Sequence, residues 1–266
     1  MMEYVHGYTQ RETQRLTDQA RTLTDLLHGA VSYPAACRVL EAGCGVGAQT
    51  VTLAARSPES AIVAVDRNAE SLQAARAAVA ARGLTNVEFL QADLFTAPFE
   101  PASFDHLFLC FVLEHVPDPV ALLRRLLPAL KPGGTVTVIE GDHGSAYFHP
   151  DDAAAREAIQ CLVELQARAG GNALIGRQLF PLLTRAGVRG VRVEPLVVYA
   201  DAGRPELVAG FTLATFTAMV EGVEASVIAS GLMDGGRWKR AIAALRRTAE
   251  SDGTFSYTFF RGVGVR

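Results

Sequence analysis

Lysine is nearly missing from this chain: among its 25 basic residues only Lys131 and Lys239 are lysines, and the formal net charge is −3. The sequence contains no long block of consecutive basic residues, and this argues against bulk nucleic acid as a partner. The four cysteines show no CxxC spacing, and no group of His, Cys and Asp has metal-ligand spacing, so we expect metal-independent chemistry. The longest apolar run, residues 107–113, is too short to cross a bilayer.

The N-terminus lacks the charged-then-apolar pattern of a signal peptide. Together with the dispersed cysteines, this predicts a reducing, cytoplasmic location. The chain does have material for one large core, because 49% of its 266 residues are hydrophobic and 20% are charged. Strand-like and helix-like segments alternate over residues 38–140, which is the pattern of a doubly wound α/β sheet. No oligomeric state is predicted.

Glycines at positions 43, 45 and 47 follow a short apolar strand and precede a helix-compatible stretch. Gly43 permits a sharp turn, and Gly45 and Gly47 leave space where backbone passes close to a ligand. Glu41 lies two residues before the first glycine, where the pyrophosphate of a dinucleotide would meet a carboxylate. An acid here suits a ligand with positive charge, such as a sulfonium with an ammonium group. The loop therefore favours S-adenosylmethionine over NAD.

Acidic residues also end the next two apolar strands. Asp66 ends the second strand, where a carboxylate can accept both hydroxyls of a ribose. Asp93 and Leu94 follow the third strand and suit an adenine, with the carboxylate on the exocyclic amine and the leucine against the ring. Because open α/β sheets bind ligands at the carboxyl ends of their strands, we expect Glu41, Asp66 and Asp93 to line one crevice.

Five segments carry ordered motifs. They are VLEAGCGVG at 39–47, VDRN at 65–68, QADL at 91–94, FDHLFLCFVLEHVPDP at 104–119 and LKPGG at 130–134. In this order they resemble class I S-adenosylmethionine-dependent methyltransferases, and among these the branch of ubiquinone and menaquinone biosynthesis methyltransferases. The resemblance implies a Rossmann-like, doubly wound, seven-stranded α/β sheet of order 3-2-1-4-5-7-6, with an antiparallel last strand and a helical cap inserted near the C-terminus.

The resemblance also implies a set of cofactor-binding residues. Besides Tyr8, which is taken up below, they are Glu41, Gly43, Cys44, Gly45, Gly47, Asp66, Arg67, Asp93, Leu94 and Phe111. Glu41 and the glycines would hold the methionine portion, Asp66 the ribose, and Phe111 would lie by the methyl-transfer site. Cys44 stands where a small side chain is needed, so packing explains it better than nucleophilic chemistry.

By the same resemblance, residues 203–252 form a cap over the substrate site. The methyltransferase domain would then comprise residues 31–202 and 253–266. The cap is rich in large apolar side chains: Phe211, Phe216, Met219, Val220, Leu232 and Trp238. They favour an apolar or aromatic methyl acceptor, although they could instead bury the cap against the sheet.

Residues 1–30 are polar with leucines at helical spacing, which predicts an N-terminal helical lid. Tyr8 or Arg11 would meet the methionine carboxylate of the cofactor. Thr9 and Glu12 fit a capping box at the start of the helix.

Methyl transfer needs a base only when the attacking atom carries a proton. His143 follows the fifth strand, where the acceptor should approach, and His115 lies in a loop after the fourth strand. Imidazole has a suitable pKa at neutral pH, so both are candidate catalytic residues, although either could bond to backbone instead. Glu114 and Glu140 are further candidates, or residues that hold a loop.

These features predict transfer of a methyl group from S-adenosylmethionine to a carbon or oxygen of a small, partly apolar or aromatic metabolite. An NAD-dependent oxidoreductase is one alternative, because Gly43, Gly45 and Ala48 fit the loose dinucleotide pattern. Glu41, Asp93 and the lack of a Tyr-x-x-x-Lys pair oppose it. The other alternative is a methyltransferase-like protein that binds the cofactor for a non-methylating role, such as a cyclisation.

Overall fold

The computed structural model describes residues 22–266. Its strands in this region are β1 Arg38–Ala42, β2 Ala61–Asp66, β3 Val87–Gln91, β4 Phe104–Cys110, β5 Leu130–His149, β6 Arg189–Ala200 and β7 Thr254–Val265. They form one sheet in the order β3-β2-β1-β4-β5-β7-β6, with β7 antiparallel. The predicted doubly wound fold and its strand order are confirmed.

Helices connect these strands. Residues 22–28 are helical, and the longer helices are Ala48–Arg56, Ala69–Ala81, Pro119–Leu126, Ala153–Arg168, Leu179–Ala186 and Gly235–Arg247. Short 3-10 helices occupy Leu113–His115, Leu127–Ala129 and Ile175–Gln178. Several helix starts follow from the sequence, since Asn68, Asp118, Asp152 and Asp234 each accept a backbone amide of the first turn through the side chain.

Parallel pairing aligns the carboxyl ends of the first four strands. In β1, Glu41 pairs with Ala64 of β2 on one side and with Phe108 of β4 on the other. Asp66, at the end of β2, pairs with Gln91 of β3. This register brings the first two predicted acids to one edge of the sheet, where such folds bind ligands.

Strand β5 is much longer than the sequence predicts. The pattern predicts a turn followed by a strand over 135–140, whereas β5 begins at Leu130 and spans 20 residues. The predicted turn is a bulge, because Phe104 and His106 of β4 pair with Leu130 and Thr135, and the residues between the last two loop out of the ladder. Glycine and proline in this segment are therefore bulge residues within a strand.

Two other predicted boundaries are wrong. The apolar run that follows Phe104 predicts a strand over 104–112, but β4 ends at Cys110 because Phe111 has a left-handed φ of +59°. The sequence from Pro119 predicts a helix over 119–130, but the α-helix ends at Leu126 and continues as the 3-10 turn Leu127–Ala129. A proline in that turn lacks the amide that an α-helix would need there.

The apolar sequence from Pro205 predicts a single helix over 205–230, but in the structure this helix is interrupted. Its parts are Pro205–Leu207, the π-helix Val208–Thr217, Ala218–Glu221 and Glu224–Ala229. In the π-helix the Thr215 hydroxyl donates to the Gly210 carbonyl, five residues earlier, at 2.7 Å. Apolar periodicity does not distinguish this wider winding from an α-helix, since almost every residue of the segment is apolar or threonine.

Within the described residues, one helical stretch, Pro205–Ala229, is long and apolar enough by composition to cross a membrane. Half of its most apolar window is buried inside the protein. Core helices of soluble proteins meet the same criterion, so the stretch is weak evidence for a membrane span. The expectation that the chain does not span a membrane stays a prediction.

The chain divides into two compact units. Within the described residues, the sheet unit comprises Thr24–Glu140, Gly176–Pro195 and Phe260–Arg266, and the helical unit comprises residues 22–23, Gly141–Ile175 and Leu196–Phe259. In the helical unit, Gly235–Arg247 packs against Ala153–Arg168 and buries Trp238, which is 1% exposed. The predicted cap boundaries, 203–252, stay a prediction.

The predicted N-terminal lid falls mostly on residues 1–21, which lie outside the described residues, and Tyr8 lies there too. The described end of that segment, residues 22–28, is helical. Leu23 and Leu27, predicted to share a helix face, are both buried. The role of the lid stays a prediction.

Candidate functional site

The glycine loop joins β1 to the helix Ala48–Arg56. Gly43, Gly45 and Gly47 all have left-handed φ angles, of 81°, 50° and 80°. The amides of Gly43 and Cys44 both donate to the Val65 carbonyl, at 2.8 and 2.9 Å. These bonds tie the loop to the end of β2, and the φ values explain why glycine is required.

The three glycines differ in what surrounds them. A Cβ atom on Gly43 would lie 2.7 Å from Cγ2 of Val112, and one on Gly47 would lie 2.8 Å from Cα of Ala75. A Cβ atom on Gly45 would meet no described atom within 4 Å. Two glycines thus serve packing inside the protein, whereas the backbone at Gly45 faces open space in which a ligand can approach closely.

Cys44 is a packing residue of this loop. Its side chain is 6% exposed and clusters with Ala64 and Leu72. Burial raises the pKa of the Cys44 thiol, and the nearby carboxylates of Glu41 and Asp66 raise it further. A thiol held protonated is a poor nucleophile.

Glu41 is buried at the end of β1. Its side chain is 2% exposed, and among the described residues Oε2 has no hydrogen-bond partner. Burial raises the pKa of Glu41 to about 8; the Thr50 hydroxyl opposes the rise and the charge of Asp66 adds to it. A buried acceptor without a donor is costly, so this oxygen is suited to a cationic or donor group of a ligand.

Asp66 links the glycine loop to the next helix. Its Oδ2 accepts the Gly45 amide and its Oδ1 accepts the Asn68 amide, both at 2.9 Å. A carboxylate oxygen can accept a second hydrogen bond, so both oxygens can still receive ribose hydroxyls. Arg67, which lies between Asp66 and Asn68 in the sequence, is exposed. Its carbonyl accepts the Gln91 side-chain amide at 3.2 Å.

Asp93 and Leu94 follow β3. Asp93 is exposed, and its Oδ1 accepts the Phe95 amide at 2.8 Å in a local turn. Leu94 is half-buried and Phe95 is 38% exposed. The turn leaves an acid and two apolar side chains at the predicted adenine position.

The segment after β4 carries Phe111 and the candidate base His115. Phe111 keeps its left-handed φ while its amide donates to the Ile139 carbonyl at 2.9 Å. A left-handed φ in a bulky residue is strained and is common at functional sites. Nε2 of His115 lies 3.5 Å from Oε1 of Glu114, and the His115 side chain is 27% exposed.

His143 lies in the helical unit and pairs with a residue that sequence patterns did not single out. Its Nδ1 is 2.7 Å from the Tyr257 hydroxyl, and its amide donates to the Ala173 carbonyl at 2.9 Å. A Cβ atom on Gly141 would overlap the Tyr257 hydroxyl, so glycine there makes room for the pair. The imidazole is thus bonded to a side chain, where the sequence suggested backbone as the alternative.

Aromatic rings surround this pair. Phe216 meets the His143 ring edge-on at 6.2 Å, and it lies 5.4 Å from Tyr257 and 6.4 Å from Phe211. Of the predicted acceptor-binding residues, five are buried and Leu232 is half-buried: Phe211, Phe216, Met219, Val220 and Trp238. Much of the apolar surface predicted for an acceptor is therefore packed within the protein.

Residues 39–134 match a family model described as a methyltransferase domain. These residues form a methyltransferase domain. The match spans the glycine loop, Asp66, Asp93, Phe111 and His115, and it confirms the family resemblance and S-adenosylmethionine as the cofactor of the domain. The assignment of single residues to that cofactor stays a prediction.

Two curated relatives match part of the chain. Trans-aconitate 2-methyltransferase of Azoarcus sp. is 38% identical over 46% of this chain and 45% of its own length. Demethylmenaquinone methyltransferase of Lactococcus lactis is 33% identical over 40% of this chain and 42% of its own length. The chain spans about half the length of the curated relatives it matches.

A solved structure shares the fold over most of this chain. Phosphoethanolamine N-methyltransferase 2 of Haemonchus contortus, in complex with S-adenosyl-L-methionine, aligns with a TM-score of 0.55 and 18% identity. The alignment covers 92% of this chain and 52% of that one. The likeness therefore extends beyond the matched domain into both compact units.

The residues present fit S-adenosylmethionine. Glu41 offers a buried, unpartnered oxygen to a positively charged group, and Asp66 retains acceptor capacity on both oxygens. The open space at Gly45 admits a ligand against the backbone. Charge, acceptors and space agree with a cationic nucleoside.

We expect Gly45→Ala to weaken S-adenosylhomocysteine binding by roughly tenfold, because the new methyl group enters the space facing the ligand. Gly83→Ala is a matched control, since Gly83 has a φ of +64° and also faces open space. Both substitutions carry a similar backbone penalty of about 1 kcal/mol, so their melting temperatures should fall alike. Calorimetric titration and thermal melts measure both effects; equal affinities in the two variants would contradict the placement of the ligand at Gly45.

Proposed function

We propose that this methyltransferase transfers a methyl group from S-adenosylmethionine to a carbon or oxygen atom of a small, partly apolar or aromatic metabolite. The observation that supports the cofactor placement is the buried carboxylate of Glu41 beside the open backbone of Gly45. The acceptor class rests on the family resemblance and on the candidate base His143, which lies beside the rings of Phe216 and Tyr257. Both the acceptor and the residue roles below are part of the proposal.

S-adenosylmethionine supplies a methyl carbon that is already activated by a positively charged sulfur. The protein then has to bind the cofactor and the acceptor, align the attacking atom with the methyl carbon, and exclude water. We assign to Glu41 the recognition of positive charge on the methionine portion and to Asp66 the ribose hydroxyls. Asp93 and Leu94 would receive the adenine amine and ring.

We assign proton transfer to His143 when the acceptor atom carries a proton. Nδ1 of His143 is held by the Tyr257 hydroxyl, so Nε2 is the atom that would exchange a proton with the acceptor. His115 is the second candidate, and its Nε2 lies 3.5 Å from Oε1 of the adjacent Glu114. An acceptor whose C–H group is already acidic depends less on proton removal by a base of the protein.

We further propose a cytoplasmic protein with a small-molecule partner. All four cysteines are free thiols, which suits a reducing compartment. Within residues 22–266, no group of three or more His, Cys, Asp or Glu side chains can hold a metal ion.

The first test is a calorimetric titration of the purified protein with S-adenosylhomocysteine, with NAD and NADH as controls. We expect low-micromolar binding of the homocysteine compound alone. Incubation with methyl-labelled S-adenosylmethionine and a panel of phenols, enols and carboxylic acids then tests for turnover. The variant His143→Gln should bind the homocysteine compound normally and lose turnover with acceptors that must release a proton.

Each outcome separates the alternatives. Binding of NADH in place of the homocysteine compound would favour the oxidoreductase. Normal binding without labelled product from any acceptor class would favour a non-methylating role. Unchanged turnover in His143→Gln would contradict only the assignment of the base.

A further inference from the structure

Glu140 lies in β5 and is completely buried, with 0% of its surface exposed. Its Oε1 accepts the amides of Val112 and Leu113 at 3.0 and 2.7 Å, and the amide of Glu114 also stabilises the carboxylate. These are three consecutive amides at the start of a short 3-10 turn. One side chain thus holds the whole connection that follows β4.

Holding a loop with a buried carboxylate costs desolvation free energy. Burial raises the pKa of Glu140, the neighbouring Glu114 carboxylate raises it further, and the three amides oppose the rise. An apolar side chain in the same place would avoid the desolvation cost. A backbone held by directional hydrogen bonds is, however, fixed more narrowly than one held by apolar packing.

The segment that Glu140 holds presses directly on the glycine loop. Val112 lies against Gly43, and Cγ2 of Val112 fills the space that a Cβ on Gly43 would need. Phe111, one residue earlier, keeps its left-handed φ of +59° in the same segment. A continuous path of contacts therefore runs from Glu140 through Val112 to the loop whose next glycine, Gly45, faces open space.

We propose that Glu140 is a positioning residue for the cofactor loop: it fixes the amides of Val112 and Leu113, and thereby seats Val112 against Gly43 and keeps Gly45 in its binding conformation. The inference rests on the placement of S-adenosylmethionine at the glycine loop proposed above. Glu140 bonds to the backbone of its own chain and is assigned no contact with the cofactor.

The test compares Glu140→Gln, Val112→Ala and the double variant with the wild type. Glutamine keeps an acceptor oxygen and cannot ionise, so the fold should survive. Glu59→Gln is the matched control, because Glu59 is exposed in the turn before β2. Calorimetry with S-adenosylhomocysteine gives the Kd at a temperature well below each melting point. Amide proton shifts of residues 112 and 113 report the bonds directly.

We expect Glu140→Gln to raise the Kd roughly tenfold and to move both amide protons upfield. Val112→Ala should raise the Kd several-fold. The double variant should bind about as well as Glu140→Gln alone, since both changes break the same path. Glu59→Gln should match the wild type.

Two results would overturn the inference. One is a Kd within twofold of the wild type in Glu140→Gln while the two amide shifts change. The other is a double variant whose Kd rises by the product of the two single effects. Loss of S-adenosylhomocysteine binding by the wild type, or binding that does not depend on Asp66, would instead overturn the cofactor placement itself.

Discussion

Asp66→Ala is expected to weaken S-adenosylhomocysteine binding by roughly a thousandfold, because two charge-assisted bonds to the ribose hydroxyls are lost together. The same change releases the amides of Gly45 and Asn68, which Asp66 accepts at 2.9 Å each. The binding surface would thus lose both its acceptor and its shape. Calorimetry measures the loss of affinity, and circular dichroism verifies that the variant is folded.

Asp105→Ala is the matched control. Asp105 also accepts one bond on each oxygen, from the Arg38 amide at 2.8 Å and from the Lys131 ammonium at 2.7 Å. It lies at the amino end of β1 and β4, at the opposite edge of the sheet from Asp66. Its removal should lower the melting temperature and leave the Kd unchanged. Equal losses of affinity in the two variants would show that Asp66 affects S-adenosylhomocysteine binding only through the stability of the fold.

The second large effect concerns pH. With a pKa of about 8, Glu41 is mostly protonated in the free protein at neutral pH. A cationic ligand group favours its ionised form, so binding should release close to one proton at pH 7. Affinity for S-adenosylhomocysteine should therefore rise roughly fiftyfold between pH 6 and pH 8. Titrations in buffers of different ionisation enthalpy count the released protons.

Glu41 should affect the stability of the free protein in the opposite sense. Between its ordinary pKa of 4.5 and about 8, the folded state keeps the Glu41 proton while the unfolded state loses it. The contribution of Glu41 to the free energy of unfolding therefore falls as pH rises through this window. Thermal melts of the free protein at pH 5 and pH 8 should differ more in the wild type than in Glu41→Gln.

Glu41→Gln should also remove the proton release and flatten the pH dependence of binding, whereas Glu59→Gln should change neither. A pH dependence that persists in Glu41→Gln would assign the titration to another group, with the buried Glu140 as the next candidate.

The strands up to residue 140 and the glycine loop could be predicted because their determinants are local in sequence, whereas the strand order of the sheet was implied by the family resemblance. The alternation of strands and helices, the spacing of the glycines and the acids at the strand ends all fall within short windows. The register then follows from parallel pairing, which brings Glu41 and Asp66 to the same edge.

The remaining features depend on contacts between residues far apart in sequence. His143 and Tyr257 are separated by 114 positions. Val112 and Gly43, which are in contact, follow two neighbouring strands that are far apart in sequence. No pattern in either segment indicates its partner. The π-helix Val208–Thr217 escaped prediction for a different reason, since a segment that is apolar on all sides carries no periodic signal of its winding.

The position of the single tryptophan determines what fluorescence can report about unfolding. Trp238 is the only tryptophan in the chain and is buried in the helical unit, so its emission responds to that unit. Circular dichroism registers the helices and strands of both units. A fluorescence melt alone would therefore yield the stability of one unit, and coincidence of the two curves is the condition for treating the chain as one cooperative system.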